Sequence, residues 1–459
     1  MNSIICRIRL VPNAPTKAVI LSKFLMNRWG CIHGQSIKIR LGNKTLISRV
    51  VGVRGREPVI YLPPSIVRQL SIPYLGETRA SFANRQLRLG PVLAILTTGF
   101  TGSPSQPFGS RSSLFRQFIL AGMEEKPFFY VFTPEMVNWA NRTISGWFYR
   151  KDESGNMGWV RMTAPFPDVI YERVPNRKSE SLPQVQVCRE RLTRLGHARI
   201  FNQGFFNKWT VHERLYRHPD TYDLIPETSL SPSIETIRHM IAKYGMVYLK
   251  PSGGSLGLGI FRITRDPNGG YYCRFRNGDK NILYRFRSLE KLIRYAFGNQ
   301  KSRIHRYLVQ QGIRLIKYQG RPVDFRVHLH KDRTGEWRIV GIGAKAAGPG
   351  SVTTHVRTGG SLLSASELLR KVFGMDGPRV ESNIRNAAIR IAKTLEHQVN
   401  GPLGELGMDI GVDRDLRVWL FEVNSKPGRH IFHHPSLRQA GWRSAKYITE
   451  YSLKLANFL

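Results

Sequence analysis

Three oxygen-bearing side chains near residue 420 carry the strongest chemical signal in the sequence. Val418–Asn424 alternates as a strand does, which puts Leu420, Glu422 and Asn424 on one face. A carboxylate and an amide two residues apart on a stiff strand converge on one point. Asp409 lies in the apolar segment just before, and the connecting turn is rich in charge (Asp413, Arg414, Asp415). An antiparallel hairpin would return Asp409 to a place opposite Glu422. Oxygens of Asp, Glu and Asn so gathered suit one or two Mg2+ ions, with Mn2+ as an alternative, whose shells are completed by water and phosphate oxygens. A half-buried hairpin with a few solvated acids would use the same residues.

A second stretch offers the complementary chemistry. Met246–Pro251 reads as a strand ending in Lys250, and Ser252–Gly259 follows as a pliable loop with Gly253, Gly254, Ser255, Gly257 and Gly259. Glycines let backbone N–H groups approach a phosphate chain closely, and a lysine adds a point charge. The Gly-Lys-Ser/Thr run of a Walker loop is absent, and no helix follows the glycines as a dinucleotide fingerprint needs. The loop runs instead into another strand, Ile260–Ile263. Such a flap can lie over phosphates, and it can equally be an ordinary flexible hairpin.

Positioning these groups takes a sizeable scaffold. Residues 1–88 read as a small β-rich domain, with alternating segments Ser36–Gly42 and Lys44–Val51 around a Gly42–Asn43 turn. Residues 89–185 begin with the continuous apolar run Val92–Leu96, the mark of a strand covered on both faces. A Gly, Ser and Pro-rich loop to Ser110, a helical stretch Ser113–Glu124 and strands Phe128–Phe132 and Pro167–Val174 complete a βαβ sketch. Trp139, Trp147 and Trp159 belong to a hairpin held by aromatic packing. From 186 onward, helices are predicted over Gln186–Leu195, Ile234–Tyr244, Ser288–Phe297, Glu381–Gln398 and Ser444–Leu455, and one follows Asn207–Lys208. Asp324, Arg326, His328 and His330 share one face of a strand by period two. His430, His433 and His434 read as polar loop residues beside the hard-oxygen cluster.

Taken together, these residues resemble the two halves of an ATP-grasp nucleotide site. Lys250-Pro251 with its glycine loop resembles the phosphate lid, and Asp409, Glu422 and Asn424 resemble the magnesium ligands. Gln310-Gln311-Gly312-Ile313 is similar to the hinge strand that holds adenine. Phe206-Asn207-Lys208-Trp209 resembles the segment that brings a first phosphate-binding lysine. Asp324-Phe325-Arg326-Val327 resembles the strand whose arginine faces the terminal phosphate. With the strands Leu89–Thr97 and Pro167–Val174, the layout resembles the YheC/YheD family of endospore coat-associated ATP-grasp proteins nearly end to end.

The resemblance implies a mixed α/β (α+β) chain. It places an α/β domain over 89–185 ahead of an ATP-grasp domain over 186–459, with a lysine and glycine-flap subdomain over about 210–310 and a metal-binding one over about 311–459. It further implies ATP and Mg2+ as cofactors and, where active, a ligase joining a carboxylate to an amine or thiol through an acyl phosphate. Lys208 and Lys250 would hold the α and β phosphates, with Arg326 and Lys345 at the reaction centre. Relatives usually carry arginine at position 345 and asparagine at position 355, where this chain has Lys345 and His355. Spore coat proteins are the partners the family suggests. Two further classes fit the same sequence: a coat-associated protein that binds ATP without turnover, and a polyanion-binding module.

Bulk composition frames these readings. The chain has 459 residues, enough for two to four domains, with 41% hydrophobic and 10% aromatic content. No segment approaches twenty apolar residues, so no membrane span is predicted. The opening residues, with Arg7 and Arg9 inside an apolar run, predict a first strand rather than a secretory signal. Four scattered cysteines (Cys6, Cys31, Cys188, Cys273) argue against disulfide staples and zinc, and so for a reducing, cytoplasmic setting. Lys+Arg number 70 against 32 Asp+Glu, a formal net charge of +38. Such a surface attracts polyanions, among them an acidic peptide substrate or an anionic wall or coat polymer. The basic residues are spread along the chain without a nucleic-acid module, which points away from sequence-specific nucleic-acid recognition.

Overall fold

The computed structural model describes residues 3–152, 154–252, 259–278, 280–298, 301–351, 354 and 360–459. Gly253, Gly254, Ser255, Gly257 and His355, singled out above, lie outside the described residues. Four sheets carry the chain in sequence order.

The first sheet is a closed barrel of seven strands: β1 (Ile4–Leu10), β2 (Ala18–Ser22), β3 (Ser36–Leu41), β4 (Lys44–Val53), β5 (Val59–Leu62), β6 (Gly76–Ala83) and β7 (Gln86–Gly90). Closure leaves no edge strand to pair with another chain. Alternation decides which side chains fill it: Ile37, Ile39 and Leu41 of β3 point in, and Ser36 and Lys38 point out. Two short helices, α1 (Lys23–Trp29) and α2 (Pro64–Leu70), pack on it.

The second sheet contains β8 (Val92–Leu96), β9 (Phe128–Phe132), β10 (Val137–Asn138), β11 (Thr143–Lys151), β12 (Met157–Pro165), β13 (Val169–Glu172) and β14 (Arg199–Phe201), in the order β10-β11-β9-β8-β13-β14 with β12 paired to β11. β9, β8, β13 and β14 run parallel. Every residue of β8, β9 and β13 is buried, as the unbroken apolar runs predict. Helix α3 (Ser112–Gly122) connects β8 to β9, and α4 (Arg177–Glu180) and α5 (Pro183–Gly196) connect β13 to β14. The tryptophan hairpin is β11–β12, where Phe100 packs against Trp147 and Tyr149 against Trp159.

Helix α6 (Lys208–Tyr216) leads into the third sheet, β15 (Thr228–Leu230), β16 (Met246–Pro251), β17 (Phe261–Arg265), β18 (Tyr271–Asn277), β19 (Lys280–Phe286) and β20 (Tyr307–Gln311), in the order β15-β20-β16-β17-β18-β19. α7 (Ile234–Tyr244) and α8 (Leu289–Phe297) bury their apolar stripes against it. The fourth sheet holds β21 (Lys317–Tyr318), β22 (Arg321–Lys331), β23 (Trp337–Ala346), β24 (Ser361–Ser364), β25 (Glu405–Val412) and β26 (Val418–Asn424), in the order β24-β23-β22-β25-β26 with β21 paired to β22. α9 (Ala365–Phe373) and α10 (Gly377–Gln398) back it.

α11 (Arg438–Leu455) closes the described chain and returns to the N-terminal half. Ala445, Ile448, Tyr451 and Leu453 join one hydrophobic core with the barrel and the second sheet. At Gly122 of α3, an added Cβ would run into the Thr449 side chain, whose own Cβ would lie only 2.9 Å away. The two helices therefore touch almost backbone to backbone.

Candidate functional site

Strand register builds the cluster. β25 and β26 form the antiparallel hairpin predicted, and Asp409 is paired with Glu422 while Gly407 is paired with Asn424. On the other side of β25, Arg326 of β22 is paired with Asp409. Arg326, Asp409 and Glu422 thus form one row across three strands. One turn of the pleat away, Asp324 is paired with Lys345 of β23.

The predicted alternation of β26 fails at one point. A bulge between Asp409 and Ile410 sets Leu420 opposite Ile410 and leaves Phe421 as the extra residue. Leu420 consequently joins the core with Val423, on the face opposite Glu422, rather than sharing Glu422's face as period two suggested. Phe421 turns to the site side, where its ring lies close to the place a side chain at Gly411 would need, 2.6 Å from the built Cβ. A bulge re-aims side chains without ending the strand, and bulges are frequent beside functional sites.

Charge is densely paired within the cluster. Lys345 Nζ stands 2.9 Å from Asp409 Oδ1 and 3.0 Å from Asp324 Oδ1, a buried ammonium between two carboxylates. Arg326 approaches the same aspartate, with Nε 3.0 Å from Oδ1 and Nη2 donating to Oδ2 at 3.2 Å. Burial pushes the Asp409 carboxyl up, but Arg326 and Lys345 outweigh it and hold the group at about 2. Burial raises Asp324, with Lys345 opposing, and the Thr354 hydroxyl donates to its Oδ2. Arg326 Nη1 is buried without a hydrogen-bond partner.

Two lysines face this row, Lys208 from α6 and Lys250 from the third sheet. Asn207 caps α6, its Oδ1 accepting from Thr210 N at 3.1 Å, which fixes Lys208 in the first turn. Lys208 Nζ lies 3.4 Å from Glu422 Oε2 and so ties α6 to β26. Lys250 Nζ donates to Gln310 Oε1 at 2.5 Å and sits 5.7 Å from the centre of the Phe421 ring. Burial first, and Lys208 second, lower Lys250 to about 8 against opposition from Glu422, Asp324 and Asp409. Gln310 is fixed from its other end by Nε2 donating to Thr228 Oγ1 at 3.0 Å. His212, one turn along α6 and stacked between Trp209 and Tyr216, is lowered to about 4 by burial and Lys250.

The remaining predicted positions have other engagements. Gln311 Oε1 accepts from Glu227 N at 3.1 Å. Gly312 passes so close to β16 that a Cβ would lie 2.6 Å from Met246 O, and Ile313 is buried beyond it. Ser252 Oγ donates to Arg306 O at 3.0 Å. Gly259 has φ +71°, a conformation glycine tolerates, and closes the flap beside Pro251 and Tyr307. Lys208, Lys250, Gln310, Arg326, Lys345, Asp409 and Glu422 are brought together, with Asn424 two residues from Glu422. Asp324, Thr228 and Phe421 belong to the same cleft. Asp324 comes from the strand face it was read to share with Arg326, whereas Thr228 is visible only through cross-strand register and Phe421 only through the bulge.

His328 and His330 continue the face of Asp324 and Arg326 into the interior. Their Nε2 atoms meet Glu405 Oε1 at 2.8 and 3.1 Å, and ligand atoms of the three residues lie within 4.8 Å of one another. Arg173, Arg429 and the Tyr171 hydroxyl already occupy that carboxylate. Two guanidinium groups against one carboxylate repel a cation, so this is a structural knot joining β13, β22 and β25. Burial lowers His328 to about 3, with Glu405 opposing, and lowers His330 in the same direction.

Asp409, Glu422 and Asn424 offer the hard oxygens a magnesium ion takes. Three carboxylates (Asp324, Asp409, Glu422) nevertheless face four cations (Lys208, Lys250, Arg326, Lys345), which suits a magnesium–polyphosphate complex better than a bare cation. Space is tight: a cavity of about 30 Å³ lined by Lys208, His212, Ile225, Phe421 and Glu422 holds roughly a water. A cavity of about 610 Å³ lies elsewhere, between Arg88 of the barrel and Lys454, and shares no residue with the cluster.

A family model described as "YheC/D like ATP-grasp" matches residues 197–455. "Endospore coat-associated protein YheD" of Bacillus subtilis (strain 168) is 34% identical over 420 residues, covering 90% of both chains. "Endospore coat-associated protein YheC" of the same organism is 25% identical over 284 residues, or 60% of this chain and 75% of that one. Among solved structures, D-alanyl-alanine synthetase A from Vibrio cholerae aligns with a TM-score of 0.43 at 14% identity, covering 80% of this chain and 98% of that one. No helix among the described residues is long and apolar enough to cross a membrane.

Proposed function

The chain belongs to the YheC/D-like ATP-grasp family, and from that premise we propose that it binds Mg-ATP between its third and fourth sheets and uses it to join a carboxylate to an amine or thiol. Lys208 and Lys250 grip the α and β phosphates, and β20 with Gln310 forms the adenine side of the cleft. The glycine-rich stretch from Ser252 to Gly259 is assigned to the phosphates by its composition. Asp409, Glu422 and Asn424 supply oxygens to magnesium. When bound, magnesium offsets charge on the phosphate oxygens as the phosphoryl group moves.

The chain's own residues do the rest by position and charge. The substrate carboxylate oxygen attacks the γ-phosphorus and ADP departs, giving an acyl phosphate. The amine or thiol then attacks the acyl carbon, phosphate leaves, and the nucleophile's proton passes to solvent. No side-chain nucleophile is required, in keeping with a site made of fixed cations. Arg326 Nη1, buried and without an acceptor, supplies a donor for the transferring group. Lys345 bridges Asp409 and Asp324 and opposes the rise that burial imposes on Asp324. It thereby orients the ligand set, where a guanidinium would have offered a second fork.

The observation that carries this reading is the meeting of two lysines from separate elements at the carboxylate row: Lys208 of α6 lies 3.4 Å from Glu422 Oε2, and Lys250 of the third sheet lies 5.7 Å from the centre of the neighbouring Phe421 ring. Glu422→Gln is expected to abolish Mg-ATP binding in isothermal titration, and unchanged binding would count decisively against it. Release of ADP in the presence of amino acids and short acidic peptides tests turnover. A second reading, ATP binding without turnover in the spore coat or its assembly, is favoured by the coat-associated description of the two Bacillus relatives. Nucleotide binding with no ADP released across such a panel would select it.

A further inference from the structure

Three guanidinium groups crowd the junction between the second and fourth sheets, and the Glu405 carboxylate serves two of them. Arg173, directly after β13, sends Nη1 to Glu405 Oε2 at 3.4 Å and Nη2 to Pro427 O at 3.3 Å. Arg429 Nη1 donates to Glu405 Oε1 at 3.0 Å. Arg111, just before α3, has only neutral partners: Nη1 donates to the Thr97 hydroxyl and Nη2 to Thr98 O at 2.6 Å. Among the described residues it has no ion pair. Burial lowers its hold on a proton, and so does Arg173 beside it. Burial lowers both histidines of the neighbouring knot, which works against further positive charge there. A half-buried guanidinium facing another, with no anion of its own, is an unfavourable arrangement unless something else supplies the anion.

Its location says what that something is. Thr97 and Thr98 follow β8, Thr133 follows β9, and Arg173 follows β13, all at the carboxyl ends of parallel strands, where open α/β sheets take their ligands. Thr133 Oγ1 at this edge is buried without a hydrogen-bond partner. From here the positive charge runs on to the phosphate end. Arg173 holds Pro427, and Pro427 and Arg326 Nη1 both press on the space above Gly407, where an added Cβ would lie 2.9 Å from that Nη1.

We propose that the acyl substrate is itself acidic, with a second carboxylate beyond the one that is phosphorylated, and that Arg111, flanked by Arg173, binds it. This rests on the ligase reading and names the substrate class of that site. A planar guanidinium fork matches a carboxylate in shape as well as charge.

The test uses the full chain saturated with Mg-AMPPNP and two probes, tetraglutamate and tetraglutamine, in titration calorimetry at near-physiological salt. Tetraglutamate is expected to bind at least about tenfold more tightly than tetraglutamine. Arg111→Gln removes that preference while Mg-AMPPNP binding is unchanged, which also shows that the variant is folded. Arg111→Lys retains part of it. Equal or undetectable binding of the two peptides by the native chain overturns the proposal, as does an unaltered preference in Arg111→Gln. Arg49→Gln, on the exposed face of the barrel, separates site from surface: an equal loss there assigns the preference to overall charge and overturns the proposal. Failure of Mg-AMPPNP itself to bind the native chain would instead remove the nucleotide reading beneath it, a distinct result.

Discussion

Lys250 has a proton held loosely enough to report on its surroundings. Its folded value of about 8 compares with an ordinary 10.5. Between those two values an unfolded chain binds more protons than the folded one, so the empty fold gains stability as pH rises through that window and carries the full cost of the buried ammonium below it. A triphosphate laid against Nζ favours the charged form and restores the proton. Mg-ATP binding near about pH 8.5 is therefore expected to take up a fraction of a proton from solution. Calorimetry in buffers of different ionisation heat reads this directly, and a buffer-independent enthalpy would place Lys250 out of contact with the phosphates. Lys250→Met is expected to remove the nucleotide-induced rise in melting temperature without lowering that of the empty protein. At this scale much of the cluster was legible in the sequence, because charged residues interrupting apolar strands are costly unless they have work to do. Lys345 was legible as a departure from relatives but not as the bridge between Asp324 and Asp409, since that depends on which strand lies next to which. Arg111 gave no signal at all: an arginine after a Gly, Ser and Pro-rich loop looks like a solvated one.

Among elements, β22 and β25 do two jobs along one face. Their outer halves carry Asp324, Arg326 and Asp409 into the cleft, and their inner halves carry His328, His330 and Glu405 into the knot with β13. Burial alone would raise the Glu405 carboxyl, yet contacts from His330, His328 and Arg173 hold it well below the usual range. Glu405→Gln leaves Arg173 and Arg429 without a counter-charge in the interior, so a loss of about 3–5 kcal/mol is expected in denaturant unfolding. An effect below about 1 kcal/mol would show that the knot is dispensable. Strand and helix identities followed from periodicity almost throughout: the α7 stripe, the apolar run of β8 and the long α10 are visible as patterns. The β26 bulge was not, because the residue count of a bulged strand is indistinguishable from a regular one until its partner is known. That single extra residue separates Leu420 from Glu422 and brings Phe421 to Lys250.

Across the whole molecule the charge is uneven. Residues 1–90 contain 15 Lys+Arg against two Asp+Glu, and Lys38, Arg49 and the 70% exposed Ile47 lie on neighbouring outward positions of the barrel. A basic barrel fused to the proposed nucleotide cleft separates surface attraction from chemistry. Retention of the full chain on an immobilised polyglutamate resin is expected to fall steeply between about 0.1 and 0.5 M salt as screening shortens. Lys250→Ala should elute at the same salt, because its ammonium is buried. Salt-independent retention, or a large shift in that variant, would contradict a surface origin. The barrel's closure and its merger with the second sheet were beyond sequence reading, which saw alternating strands but not the hydrophobic core they share.

That merger has a kinetic side. The groove above α3 is filled by α11, so a chain emerging from the ribosome makes its second sheet long before the helix that covers it. Until α11 emerges, the face of α3 around Gly122 lacks the helix that packs on it. Completion of the early half thus waits on the late one, and synthesis stalled short of Arg438 would yield a sticky intermediate that chaperones must guard rather than a shorter working protein.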